Sequence, residues 1–292
     1  MSTKTKKGTG GTLSVLWQGI TRSPSGFTGM CIVVAILAFV FLGRFLVDHD
    51  NPTDPDALWL PMSGEHWLGT NFEGKDTFTK LVLGGAEPIW VGALAAAITV
   101  VVAVILGALA GYLRGRFDDI VLQATDITMT IPFITVLIIV ASYFRNISPL
   151  MVALIIGLLT WPFLTRSIRA QVLTLKEREF IEAAKLQNLG TTRVVFVDIL
   201  PNMAGYIFIN FIIAVTNAIY AIVGLYLLGL LPSTAENWGL MIQQAWQNSA
   251  YLLPRALPFL LAPLAMIALF QVGLVLVTRS LEQALNPRLR ER

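Results

Sequence analysis

Charge is what this sequence lacks most. Only 13% of its 292 residues are Asp, Glu, Lys or Arg, about half the share usual in a soluble globular domain. One cysteine, Cys31, excludes an internal disulfide and a cysteine-based metal site. The two histidines, His49 and His66, have no cysteine beside them and give no metal-ligand spacing. Paired carboxylates and lysines are missing from the apolar runs, so the groups expected of a proton- or ion-driven carrier are not there and the energy input is expected from elsewhere. No internal repeat and no nucleophile–base constellation is visible. A hydrophobic content of 55% excludes disorder, collagen and a disulfide-stapled secreted fold.

What is present is apolar sequence in long runs. The mean hydropathy is +0.69, and about 20 apolar residues at 1.5 Å rise cross a ~30 Å hydrocarbon core. Six runs qualify, at Phe27–Val47, Ile89–Leu113, Ile127–Phe144, Pro149–Leu164, Ala204–Leu231 and Leu257–Thr278. Unpaired backbone amides are costly in lipid, so these runs are predicted to be helices. The third and fourth are joined by the tight turn Arg145-Asn146-Ile147-Ser148. The first run is too long for the core of a secretory signal and has no small-residue cleavage site after it.

Basic residues set the direction. The N-tail (Lys4, Lys6, Lys7, Arg22), the Arg114–Arg116 turn, the long Thr165–Met203 segment and the C-tail all fall on one side. Only Arg44, Lys75, Lys80, Arg145 and Arg255 remain for the other. The positive-inside rule therefore predicts cytoplasmic termini and an outer loop from Asp48 to Pro88. A net charge of +3 is explained by this topology signal and requires no nucleic acid. Before the first span, Leu13, Leu16, Trp17 and Ile20 recur at helical spacing, which suits either an interfacial helix or an unstructured tail.

Within the spans, Ala103, Gly107 and Gly111 sit four apart and permit close helix approach. Asp126, six residues before Pro132, is placed at the start of the third span. It fits a helix cap, where its charge complements the dipole, or a gate. The fifth span carries Asn210, Asn217 and Gly224 at spacing seven, with Tyr206, Thr216 and Tyr220 nearby in projection. Such a stripe lines a pathway or makes interhelical hydrogen bonds. Gly69-Thr-Asn-Phe-Glu-Gly74-Lys75-Asp76 imitates a phosphate loop, but Asp76 replaces the Mg²⁺-ligating hydroxyl and no strand precedes it, so ATP binding here is not expected.

The segment Lys176–Asn188 has helical composition, with Phe180, Ala183, Ala184 and Gln187 near one face. Asn188 and Gly190 each tolerate the left-handed conformation that ends a helix, and Pro201 closes the segment before the fifth span. A short exposed helix between spans suits docking into a groove on a cytoplasmic partner.

Glu182-Ala183-Ala184, Asn188 and Ile199-Leu200-Pro201 follow the E-A-A-x-x-x-G-(x)9-I-x-L-P pattern, with Asn188 in place of glycine and the apolar position shifted to Ile199. On these residues the chain resembles the permease subunits of binding-protein-dependent ABC importers. The likeness to the C-type permeases of their dipeptide/oligopeptide branch extends over nearly the whole chain. His66-Trp-Leu-Gly69-Thr-Asn-Phe-Glu-Gly74-Lys-Asp76 is similar to H-P-L-G-T-D-x-x-G-R-D, Leu109-Ala-Gly111-Tyr112 to L-A-G-Y, and Asp126 with Pro132 to D-x-x-x-A-x-P. Leu173 to Ala184, Trp238-Gly239 and Asn286-Pro287-Arg288-Leu289-Arg290 follow in the same order. Two departures stand out. Ile222 occupies the acidic position of A-E-A-S-L-S-F-L-G, and Gly85-Ala86-Glu87 replaces G-A-R.

The resemblance implies an all-α membrane protein of six transmembrane helices, the type I ABC importer transmembrane fold with a cytoplasmic coupling helix. The expected layout is an N-tail over 1–26 with an interfacial helix, a first span over 27–47 and an extracytoplasmic loop over 48–88. A five-helix core over 89–280 includes the coupling helix near 176–190, and a C-tail covers 281–292. Implied partners are a second homologous permease, two ATP-binding cassette subunits and an extracytoplasmic solute-binding protein, in the lipid bilayer of a bacterial or archaeal inner membrane and without nucleic acid. The chain itself is expected to perform no catalysis and to hold no cofactor or metal; ATP and Mg²⁺ belong to the partner ATPases. Glu182, Ala183, Ala184, Asn188, Gly190 and Pro201 are the implied coupling residues. Asn210, Thr216, Asn217, Tyr220 and Gly224 are path candidates, and Asp126 and Pro132 gating or structural ones. The implied cargo is a peptide, with oligosaccharides and nickel chelates as alternatives. A stand-alone channel or secondary transporter is the rival from another class.

Overall fold

The computed structural model describes residues 20–21, 23–143, 147–187, 189–232 and 236–285. Of the predicted interfacial stripe only Ile20 is among them; the tail beyond Leu285 and residue Asn188 lie outside the described residues.

Helix α1 runs Pro24–Phe41, with proline in its first turn and the Ser23 hydroxyl accepting the Gly26 amide at 3.1 Å. It ends six residues before the predicted Val47, and a 3₁₀ turn follows over Gly43–Phe45. The outer loop contains the short helix α2, Thr77–Leu83, capped by Asp76. Helix α3 spans Ala86–Leu113. Its small residues seat it against α6, Pro149–Leu175: a Cβ on Gly107 would lie 2.6 Å from the Thr165 carbonyl oxygen. Among the described residues no strand occurs, only an isolated bridge between Thr70 and Asp76.

Arg114 and Gly115 both take positive φ (59° and 61°), reversing the chain within two residues. The third predicted span, Ile127–Phe144, is not one helix. It is replaced by α4, Gly115–Thr130, and α5, Phe133–Tyr143, bent by 71° at Ile131–Pro132. Pro132 lacks the amide needed to continue the ladder and forces Ile131 to extended backbone (φ −82°, ψ 120°). Asp118 on α4 meets Arg169 near the end of α6, whereas Leu137 and Ala141 on α5 pack with Val152 and Ile156 near its start. The pair thus follows the length of α6 and makes one broken traverse, beside the five helices that, among the described residues, are long and apolar enough to cross a bilayer alone.

Helix α6 continues eleven residues beyond the predicted Leu164 and takes up the first part of the Thr165–Met203 segment. Helix α7 covers Glu179–Leu186; a π-helical turn over Val194–Ile199 and a 3₁₀ turn over Leu200–Met203 then lead into α8, Ala204–Leu227. Gly229, at φ 70°, stops α8 short of the predicted Leu231. Helix α9, Trp238–Gln247, is absent from the sequence-based layout; Trp238 is buried and donates to the Leu81 carbonyl at 2.8 Å, pinning α2. Helix α10, Leu257–Leu285, extends past the predicted Thr278 and past the 280 boundary. Its Gly273 lies against Gly29 and Val33 of α1.

Candidate functional site

Helix α7 is amphipathic for a local reason. Ile181 and Ala184, three residues apart, are buried against Ile168, Val172, Val194 and Ile199. The opposite face leaves Glu182, Ala183 and Gln187 exposed, with Phe180 at 44% and Leu186 at 88% exposure. Ala184, predicted to share the outward face, turns inward and serves as an anchor. The Leu189 amide reaches back to the Ala184 carbonyl at 3.3 Å. Gly190 is exposed with open space around it, but its backbone is extended (φ −62°, ψ 153°), so it does not supply a left-handed stop. Pro201 is exposed in the first turn of the 3₁₀ segment before α8.

Polar contacts tie this end to the bundle. The Lys176 ammonium donates to the Tyr112 carbonyl at 3.0 Å and lies 5.9 Å above the Tyr112 ring. Arg169 donates to Asp118 at 2.6 Å, and Arg166 donates to the Thr125 hydroxyl at 2.9 Å while pairing with Asp126. Asp126 is therefore not the cap of a helix start. It lies in the last turns of α4, where the dipole disfavours a carboxylate, and Arg166 of α6 offsets that cost.

One turn further along, the break at Pro132 opens a half-enclosed cavity of about 550 Å³ between α3, α4, α5, α6 and α8. Its polar lining consists of Thr99, Thr128, Thr160, Asn210 and Asn217. The Thr99 and Thr160 hydroxyls are 2.7 Å apart. Asn210 donates to the Tyr206 carbonyl at 2.9 Å.

Of the predicted path residues the structure brings Asn210 and Asn217 together here, beside the gating candidate Pro132, and leaves three out. Thr216 faces a separate groove toward α10, with Thr278, Arg279 and Glu282. Tyr220 is exposed on the bundle surface, and Gly224 has nothing near the place its Cβ would take. Of the two departures, Ile222 is buried in an apolar cluster, and the Glu87 carboxylate accepts from the Tyr226 hydroxyl at 2.7 Å. The phosphate-loop imitation is a structural turn. Asn71 Oδ1 accepts the Glu73 and Lys75 amides, and Asp76 accepts the Thr79 amide, so these donors point into the loop. Among the described residues no cluster of three or more His, Cys, Asp or Glu is placed to hold a metal.

Thr99, Thr128 and Thr160 are cavity residues that the sequence does not announce. Isolated threonines in apolar helices carry little signal because they bond to their own backbone, as Thr160 does to the Ile156 carbonyl at 2.8 Å.

The chain is 29% identical over 284 residues to the dipeptide transport system permease protein DppC of Bacillus subtilis (strain 168), covering 94% of this chain and 85% of that one. It is 30% identical over 264 residues to the oligopeptide transport system permease protein OppC of the same organism, covering 90% and 83%. It is also 29% identical over 231 residues to the probable D,D-dipeptide transport system permease protein DdpC of Escherichia coli (strain K12), covering 78% and 76%. Residues 103–291 match the model of the binding-protein-dependent transport system inner membrane component. With that match over more than half its length, the protein belongs to this family of multi-pass membrane permeases.

Proposed function

We propose that this chain is one permease half of an ATP-driven peptide importer. A second homologous permease forms the other half of the path, two ATP-binding cassette subunits bind and hydrolyse ATP with Mg²⁺, and an extracytoplasmic solute-binding protein delivers the cargo. The named relatives serve dipeptide and oligopeptide transport, which supports the peptide assignment. The concentration of basic residues at the α7 end supports cytoplasmic termini.

The observation that carries the reading is α7 itself. A helix anchored by Ile181 and Ala184 presents Phe180, Ala183 and Leu186 outward, with Glu182 beside them. An apolar strip of that size at the bundle end is a helix-in-groove surface for the motor. With Ile181 packed beside Val172 of α6, and Lys176 at the end of α6 bonded to Tyr112 of α3, α7 hands movement to the spans, and the break at Pro132 lets α5 answer it. Gly190 and Pro201 belong to the segment that follows α7 and leads into α8. Asp126 belongs to the clasp below the gate.

The test is ATP-dependent peptide uptake into proteoliposomes holding the whole transporter. Ala183→Glu places a charge in the docking strip and is expected to abolish uptake and the stimulation of ATPase activity by loaded binding protein, with insertion and expression unchanged. Full transport by that variant refutes the assigned surface. Solute flux through the purified chain alone, without ATP, refutes the importer reading in favour of a channel or secondary carrier.

A further inference from the structure

The cavity at the Pro132 break is electrically neutral. None of the residues lining it carries a charge, and on the same helices α4 and α6 Asp126 and Arg166 pair with each other. Its walls are mostly apolar, with Ile131, Phe133 and Ile213 among them. The threonines do not offer much to a passenger, since Thr99 and Thr160 are bonded to each other.

The asparagines differ. Asn217, about midway along α8, is exposed toward the cavity, and its amide has no hydrogen-bond partner among the described residues. At mid-membrane depth a primary amide needs a hydrogen-bond partner, supplied either by water in the half-open cavity or by a passenger that displaces it. Asn210 spends one of its two N–H groups on the Tyr206 carbonyl and leaves the other, with its Oδ1, open. The two lie on one face of α8 at a spacing of seven, which is about 10.5 Å along the axis. Three residues of extended peptide cover about 10 Å. Each asparagine supplies the donor and acceptor types that match a main-chain amide.

We propose that Asn210 and Asn217 form a two-point ladder that reads the backbone amides of a peptide in transit, so that passage depends on the cargo's main chain and not on its side-chain charge. This rests on the peptide-importer reading above. Side chains of the passenger meet the apolar walls, which tolerate variety, while a charged solute lacking amides finds neither counter-ion nor partner.

The experiment uses the complete transporter in proteoliposomes with pre-loaded binding protein, and two cargos: trialanine and trialanine N-methylated at the amide nitrogen of its second residue. Comparing each variant with wild type for each cargo cancels the binding protein's own preference. Asn217→Leu is expected to slow trialanine roughly tenfold, the worth of a hydrogen bond in a desolvated site, while changing the N-methylated peptide little. Asn217→Gln is expected to restore most of the difference, and it keeps the test valid should the leucine variant assemble poorly. Equal slowing of both cargos by Asn217→Leu, or no preference in either variant, overturns the ladder and leaves the importer reading standing. If wild type imports maltotriose but neither peptide, the peptide reading falls and the ladder with it.

Discussion

Arg169 of α6 grips Asp118 of α4 through paired contacts, with Nη2 to Oδ2 at 2.6 Å, and Asp118 is almost wholly buried. A bidentate pair of this kind fixes orientation as well as distance. It clamps the charged start of α4 to the charged end of α6, beside the segment that carries α7.

Breaking the clamp from one side leaves a buried charge. Arg169→Ala is expected to cost about 3 kcal/mol and to lower the midpoint of thermal unfolding in detergent. Asp118→Asn costs less, because the amide still accepts one bond. The charge-swapped pair Asp118→Arg with Arg169→Asp is expected to recover part of the loss. No coupling between the two sites in that double-mutant cycle would show that the pair contributes nothing.

The seam between α3 and α6 admits no side chain at Gly107, where a Cβ would press on the Thr165 carbonyl. Gly107→Val is expected to destabilise by about 1–3 kcal/mol through overpacking. Gly224→Ala, with open space at its Cβ position, is expected to change the melting midpoint little. A like response at both sites would contradict the close packing.

Pro132 holds the 71° bend between α4 and α5. Pro132→Ala restores the missing amide and is expected to straighten the pair and shrink the cavity. The measurement is the distance between spin labels at Gln123 and Ile139, which should lengthen while peptide uptake falls. An unchanged distance would place the cause of the bend elsewhere.

Five spans were legible because a long apolar run declares itself without knowledge of its neighbours. The elements misread are those whose partners are distant in sequence. The Leu164 boundary failed because Arg166 and Arg169 look like a span end until Asp126 and Asp118 are known to answer them. The break at Pro132 was visible as a residue, but the apolar run across it masked its effect. Helix α9 escaped because ten residues with buried Trp238 and Met241 read as a loop without α2 and α10 beside them. In the site, Asn210 and Asn217 were found since amides are conspicuous in an apolar helix. Thr216 and Tyr220 lie round the same helix on flanks that periodicity alone does not separate from the cavity side.

The central claim is that the outward strip of α7 is held by a separate motor. Its most direct measurement is site-directed cross-linking in the assembled transporter, with Cys31→Ser as background and a cysteine introduced as Ala183→Cys. The account predicts a cross-link from that position to the ATP-binding partner whose yield changes with nucleotide, and none from a Val91→Cys control buried in the bundle. Labelling of the position 183 cysteine by a membrane-impermeant reagent from the outer face, with no cross-link to the ATPase, would contradict it.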